Sequence, residues 1–119
     1  FMSFGFRFGV PADADLVLDV RFLPNPYFVE PLKWLDGTDD KVRDFVLSND
    51  KTIEFIEKAR GFLSYLIPLY WKEGKSYLTV AIGCTGGRHR SVAVINELAG
   101  AFESDMVITR KRHRDIQKI

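Results

Sequence analysis

Residues 76–91 read SYLTVAIGCTGGRHRS, and this stretch decides the fold. Tyr77, Thr79, Val80 and Ile82 favour a strand, so residues 76–82 are expected to form one. The strand runs into Gly83, Cys84, Thr85, Gly86, Gly87, Arg88, His89, Arg90 and Ser91. Val92, Ile95, Leu98 or Ala99, and Phe102 then recur on one face, which predicts a helix. Strand, glycine-rich loop and helix in that order are the unit from which parallel α/β sheets are built.

Working outward, residues 3–8 (SFGFRF) alternate as a half-buried strand would. An exposed row of Phe for stacking bases is the rival reading, and core is the better one. Gly9, Val10 and Pro11 turn the chain. Residues 16–22 (LVLDVRF) look like a buried parallel strand. Residues 23–26 (LPNP) must be loop, because each Pro restrains its predecessor and withholds an N–H. Residues 27–38 show no clean period. Asp39 or Asp40 can cap a short helix turning Val42, Phe45 and Val46 inward. Asn49 or Asp50 can cap a longer one carrying Ile53, Ile56, Leu63, Leu66 and Tyr70, ended by Gly74. Pro68 predicts a kink or an early stop near Ile67. A short last strand is expected over residues 106–109, followed by a basic tail. The whole reads as one small α/β domain with a mostly parallel sheet.

The chain has 119 residues, enough for one domain. Seventeen basic residues against sixteen acidic give a net charge of +1, so nucleic acid or membrane binding would need a local patch. The single cysteine excludes an internal disulfide and a four-Cys zinc site, and His89 and His113 are too few for a standard one, so no metal is expected. No apolar run approaches the roughly 20 residues a bilayer-spanning helix needs, and a cytoplasmic protein without membrane association is expected. The chain opens on Phe1, Met2 and Ser3, as a piece of a longer protein, or one bearing an added residue, would.

Glycines at a strand-to-helix junction let backbone N–H groups converge where the helix end adds partial positive charge. Arg88, His89 and Arg90 crowd into the same turn, where cations oppose the helix dipole. A bound anion, phosphate above all, would offset that cost. Ligands of parallel sheets sit beyond the carboxyl ends of the strands, which adds Arg21 and Asn25 as candidates. Arg21 could instead simply pair with Asp19.

Cys84 to Arg90 also matches the C-x5-R phosphate loop of cysteine-dependent phosphatases, in which a thiolate attacks phosphorus. Gly83 stands where such enzymes usually carry His, and none of Asp13, Asp15 and Asp36 is singled out as an acid, so this is the alternative. Gly74-Lys75-Ser76 lacks the earlier glycine of a Walker A loop, and His113-Arg114-Asp115 lacks the Asn of a kinase loop. Arg110, Lys111, Arg112, His113, Arg114 and Lys118 form a basic tail, either a solvated end or a phosphate-backbone contact for RNA.

The runs DADLVLDVRFLPNP at 13–26, AIGCTGG at 81–87, HRS at 89–91 and RHRD at 112–115 resemble the C-terminal domain of the RapZ family of bacterial RNase adapters. The resemblance covers essentially the whole chain. It implies a regulator rather than a metabolic enzyme. In the best-known members this domain binds small RNAs and senses glucosamine-6-phosphate, within a tetramer that hands RNA to an endoribonuclease. A phosphosugar-like site would be carried by Cys84, Thr85, Gly86, Gly87, His89, Arg90 and Ser91. Many members have His where this chain has Tyr27. The family's N-terminal P-loop half, which would hold ATP or GTP, is absent here, so no cofactor is expected in this domain and that half becomes a partner, with homo-oligomerisation implied.

Overall fold

The computed structural model describes residues 1–104 and 107–119. Four strands, β1 (Met2–Gly5), β2 (Leu16–Asp19), β3 (Val80–Cys84) and β4 (Arg112–His113), form one sheet in the order β2-β3-β1-β4. Every pairing is parallel. Three helices, α1 (Asp40–Leu47), α2 (Asp50–Lys72) and α3 (Arg90–Gly100), complete the α/β domain.

The helix starts follow local chemistry. The Asp39 side chain accepts from Lys41 N and the Asn49 side chain from Lys51 N, so each caps its helix by satisfying a donor the helix cannot. Gly74, at φ +93°, lies just beyond the end of α2 in a conformation that favours glycine. The interruption expected at Pro68 does not occur. Leu63 is fully buried in the core and Ile67 packs against it, while Glu73 N donates to Leu69 O beyond the proline. One missing hydrogen bond is outweighed by that packing.

Three strand expectations need correction. The alternation over residues 3–8 is not a half-buried strand: Met2–Gly5 is buried throughout and residues 6–8 make a 3₁₀ turn. β1 lies between β3 and β4, and Phe6 folds its ring edge-on to Phe4 at 4.8 Å. The strand expected to Phe22 stops at Asp19 and alternates between half-buried and exposed, because it is an outer strand. There the Asp19 carboxylate accepts from Arg21 N at 2.8 Å and turns the chain. β3 starts at Val80, not Ser76, since its partner β2 begins opposite it at Leu16.

The last strand expected over residues 106–109 falls partly outside the described residues, and Val107 forms an isolated bridge to Ser104. Arg112–His113 instead pairs with β1, through Arg112 N to Phe1 O (2.9 Å) and Arg114 N to Ser3 O (3.1 Å). Val20, Val42, Val46, Leu63, Ile82, Ile95 and Leu98 centre the core. α3 is buried on nearly every side over Arg90 to Ile95, so the loop before it rests on a rigid support.

Candidate anion-binding site

Residues 85–89 link the end of β3 to the start of α3, and backbone contacts hold this turn from two directions. A Cβ on Gly5 would lie 2.4 Å from Gly86 C, and one on Gly87 would lie 2.5 Å from Gly5 N. Gly87 also has φ +77°. From the other side, Gly37 N donates to Arg88 O at 2.7 Å, and a Cβ on Gly37 would lie 2.5 Å from His89 O. His89 precedes α3 without a side-chain cap, so the helix's first N–H groups have no side-chain acceptor there.

Arg90 is only 4% exposed. Its Nη1 donates to Arg21 O (2.7 Å) and Leu23 O (3.1 Å), and its Nη2 to Thr85 Oγ1 (3.3 Å). It therefore fastens the segment after β2 to the loop, while its Nε is buried with no partner. His89 is 8% exposed, and its Nε2 is likewise buried and unpartnered. Burial pulls the His89 pKa below its ordinary value, against the backbone hydrogen bonding from Leu35 and Lys33 that favours the charged ring. Cys84 Sγ and Ser91 Oγ hydrogen-bond at 3.1 Å inside the protein.

Above this turn lies a cavity of about 810 Å³. Of the residues expected from sequence, it brings together Arg21, Asn25, Cys84, Thr85, Gly86, Arg88, His89, Arg90 and Lys118. Gly83, Gly87 and Ser91 do not line it. Gly83 is covered by the Phe4 and Phe6 rings, Gly87 packs on Gly5, and Ser91 faces Cys84. Arg21 does pair with Asp19, at 2.7 Å, and lies over the Phe6 ring at 3.9 Å. Asn25 Oδ1 accepts from Tyr27 N at 3.1 Å, capping a short 3₁₀ turn at Pro26–Phe28.

The family model described as the RapZ C-terminal domain matches residues 1–117. The chain belongs to that family. It is 53% identical over 116 residues to a nucleotide-binding protein of Geobacter metallireducens, covering 98% of this chain and 41% of that relative. A nucleotide-binding protein of Ruminiclostridium cellulolyticum is 54% identical over 117 residues, covering 98% and 40%. One of Clostridium beijerinckii is 51% identical over 115 residues, covering 97% and 39%. The chain thus spans about two-fifths of the length of these curated relatives.

Sequence reasoning missed seven of the sixteen residues of this RapZ-type cavity: Arg7, Leu23, Tyr27, Phe28, Lys33, Trp34 and Ile119 also line it. Arg7 falls within the strand expected over residues 3–8, and its 3₁₀ turn instead places its N–H on Thr85 O at 3.2 Å. Lys33 and Trp34 come from the segment without period, which offered no signal. Six of the lining side chains are cationic (Arg7, Arg21, Lys33, Arg88, Arg90, Lys118), and among the described residues no Asp or Glu lines the cavity. Asp15 lies elsewhere, paired with Lys75 at 2.8 Å, and Asp36 accepts from Thr38 N at 2.8 Å. Among the described residues no cluster of three or more His, Cys, Asp or Glu could hold a metal, and no helix is long and apolar enough to cross a membrane.

The basic tail is partly spent on the fold. His113 lies between Ser3 Oγ (2.7 Å) and Asn96 Oδ1 (2.9 Å). Arg114 grips the Asp115 carboxylate and donates to Gly9 O at 2.6 Å. Lys118 reaches Asp115 at 2.7 Å, and Arg88 donates to Ile116 O at 2.6 Å. Arg110, Lys111 and Arg112 remain exposed.

Proposed function

We propose that this RapZ-type domain is a regulatory sensor that takes a phosphate-bearing small molecule, a hexosamine phosphate or similar, at the loop of residues 83–91. The observation that carries the reading is the cavity over the loop, lined by six cationic side chains and, among the described residues, by no Asp or Glu. Like charges gathered in one cavity repel one another, and a bound anion would offset that cost. The first turn of α3 supplies further donors to the same point.

Calorimetric titration with inorganic phosphate and glucosamine 6-phosphate tests this, with Arg90→Lys as the comparison. Saturable binding that weakens at least tenfold in the variant is expected. Lys retains the charge but neither the Nε donor nor the fork. Absence of binding by either probe to the folded wild type overturns the reading.

The phosphatase alternative draws less support. Cys84 is 2% exposed with its sulfur hydrogen-bonded to Ser91, and among the described residues no Asp or Glu lines the cavity to serve as the acid that protonates a leaving oxygen. Hydrolysis of an aryl phosphate that vanishes in Cys84→Ser would reverse that judgement. RNA contact is proposed along Arg110, Lys111 and Arg112, which no carboxylate pairs among the described residues. In the longer protein, an N-terminal P-loop half holding ATP or GTP and self-association into an oligomer complete the proposal.

A further inference from the structure

α2 is more exposed than its composition suits. Of its 23 residues only Thr52, Ala59 and Leu63 are buried. Yet residues 61–71 read GFLSYLIPLYW, without a charge. Leu63 and Ile67 turn to the core. On the outer side of the helix Phe62, Tyr65 and Leu69 stand 51%, 66% and 43% exposed. A helix apolar on every side is one that is buried, so this outer face calls for a cover. Phe62 and Leu69 are seven residues apart with Tyr65 between them, the spacing of a seam between two helices.

What covers it is read from the charges at either end of the stripe. Counting from Tyr65, Phe62 lies three residues before and Leu69 four after. Lys58 lies seven before and Glu73 eight after, while Glu57 lies eight before and Lys72 seven after. Glu73 keeps helical backbone angles at the end of α2. At about 100° per residue, Lys58 and Glu73 fall on one flank of Tyr65, and Glu57 and Lys72 on the other. A second copy running antiparallel therefore sets Tyr65 at a two-fold axis, Phe62 against Leu69, and each of these charges near its opposite, twice over. Lys58 can turn to such a partner, because its side chain is 76% exposed and its ion pair with Glu54, at 3.8 Å, is a weak surface contact.

Gly61, one turn before Tyr65, is a second mark on this face. A Cβ there would meet nothing within 4 Å among the described residues, and its φ is not positive. The fold of one copy therefore has no need of glycine, which is poorer than alanine inside a helix. Against a facing helix it lets the two backbones come close.

We propose that the outer face of α2 is a self-association surface on which a second copy packs antiparallel, with Tyr65 on the axis and Phe62 and Leu69 interleaved around it. The proposal rests on the self-association read above and names its surface, and the anion site is not involved.

Sedimentation equilibrium of the 119-residue chain, from micromolar to millimolar concentration, tests it. A concentration-dependent dimer is expected. Tyr65→Glu, which sets two carboxylates together at the axis, should raise its dissociation constant at least about tenfold. Gly61→Gln should also weaken the dimer, yet raise the melting temperature of the dilute monomer, because Gln forms helix better than Gly. A mere folding defect would lower that temperature. Lys58→Glu should weaken the dimer several-fold, and adding Glu73→Lys should restore it. The contact with Glu54 is lost in both variants, so the recovery reports the pair across the interface. Under mild oxidation Tyr65→Cys should join two copies by a disulfide, with Cys84 buried out of reach. Lys58→Cys should not, since the two copies of that position lie about 21 Å apart along the axis. A chain that stays monomeric throughout overturns the proposal together with self-association of this domain. A dimer that Tyr65→Glu leaves intact, or that Lys58→Cys joins, overturns the surface while self-association stands.

Discussion

Replacing Asp115 with Asn should cost the domain about 2 kcal/mol at pH 7, although the residue touches no ligand. Asp115 is fully buried and accepts from Gly5 N at 2.8 Å, from Arg114 Nη2 at 2.8 Å and from Lys118 Nζ at 2.7 Å. Burial pushes its pKa up, but Arg114, the Gly5 amide and Lys118 together outweigh that and hold it at about 2, against 3.8 for an ordinary Asp. At about 1.4 kcal/mol per pH unit, the difference amounts to roughly 2 kcal/mol of stability. Because the folded pKa is the lower one, this stability is complete above about pH 4 and is lost as pH falls through 2. Asn keeps an oxygen for the Gly5 amide but no charge for the two cations. Urea denaturation of both proteins at pH 7 and pH 3 measures the effect. A wild-type advantage of about 2 kcal/mol at pH 7 that shrinks by pH 3 is expected. A variant within 0.5 kcal/mol of wild type at pH 7, a margin well below the roughly 1.5–3 kcal/mol of a charged hydrogen bond, would refute the claim that this carboxylate organises the tail.

Gly5→Ala should cost about 1–3 kcal/mol, since its Cβ would meet Gly86 C at 2.4 Å and backbone cannot yield cheaply, and it should weaken phosphate binding as the loop shifts. Denaturation and calorimetry check both effects. Leu63→Ala removes a fully buried side chain and should cost about 2–5 kcal/mol while leaving ligand affinity unchanged in what remains folded. His89 and His113 both have pKa values lowered by burial, so their neutral forms belong to the fold, and stability is full above about pH 6.5 and declines as pH falls below it. Replacing His89 with Asn should flatten part of that decline in a pH series of melting temperatures. Cys84→Ser should change phosphate affinity less than about twofold, because the hydroxyl can still bond Ser91 Oγ, and a loss of tenfold or more would give the thiol a direct role.

What was legible in the sequence is local. The caps at Asp39 and Asn49 and the stop at Gly74 could be read because each is set by a few neighbouring residues. The link from β3 through the loop to α3 was legible because glycine, strand formers and helical period change over within a dozen residues. The errors arose where distant chain decides. Pro68 stays helical because Leu63 and Ile67 are anchored in the core, and β2 ends early because it is the sheet's outer strand. The loop end of the cavity was readable for the same reason as the fold. Its rim was not, since Arg7, Lys33 with Trp34, and Lys118 come from three separate parts of the chain. In sequence the tail reads as either a solvated run of charge or a phosphate-backbone contact. Its attachment depends on Ser3, Asn96 and Asp115, none of which carries a signal for it in sequence.

The way the loop is held bears on how a signal could leave it. Gly5 and Gly37 fix its backbone from two sides, so a ligand meets a preformed site and little binding energy goes into ordering it. The same turn reaches the tail through Arg88, which holds Ile116 O, and the tail reaches back into the cavity through Lys118, which also holds Asp115. An anion that draws Lys118 or Arg88 toward itself therefore changes the forces on the segment that follows β4. On the near side of β4, Arg110, Lys111 and Arg112 are the cations the fold leaves exposed. If the cavity takes an anion as proposed, its occupancy and the state of this basic surface would be linked, and the linkage would run both ways. A polyanion that binds the exposed tail has to alter small-ligand affinity by the same factor as the ligand alters the polyanion's.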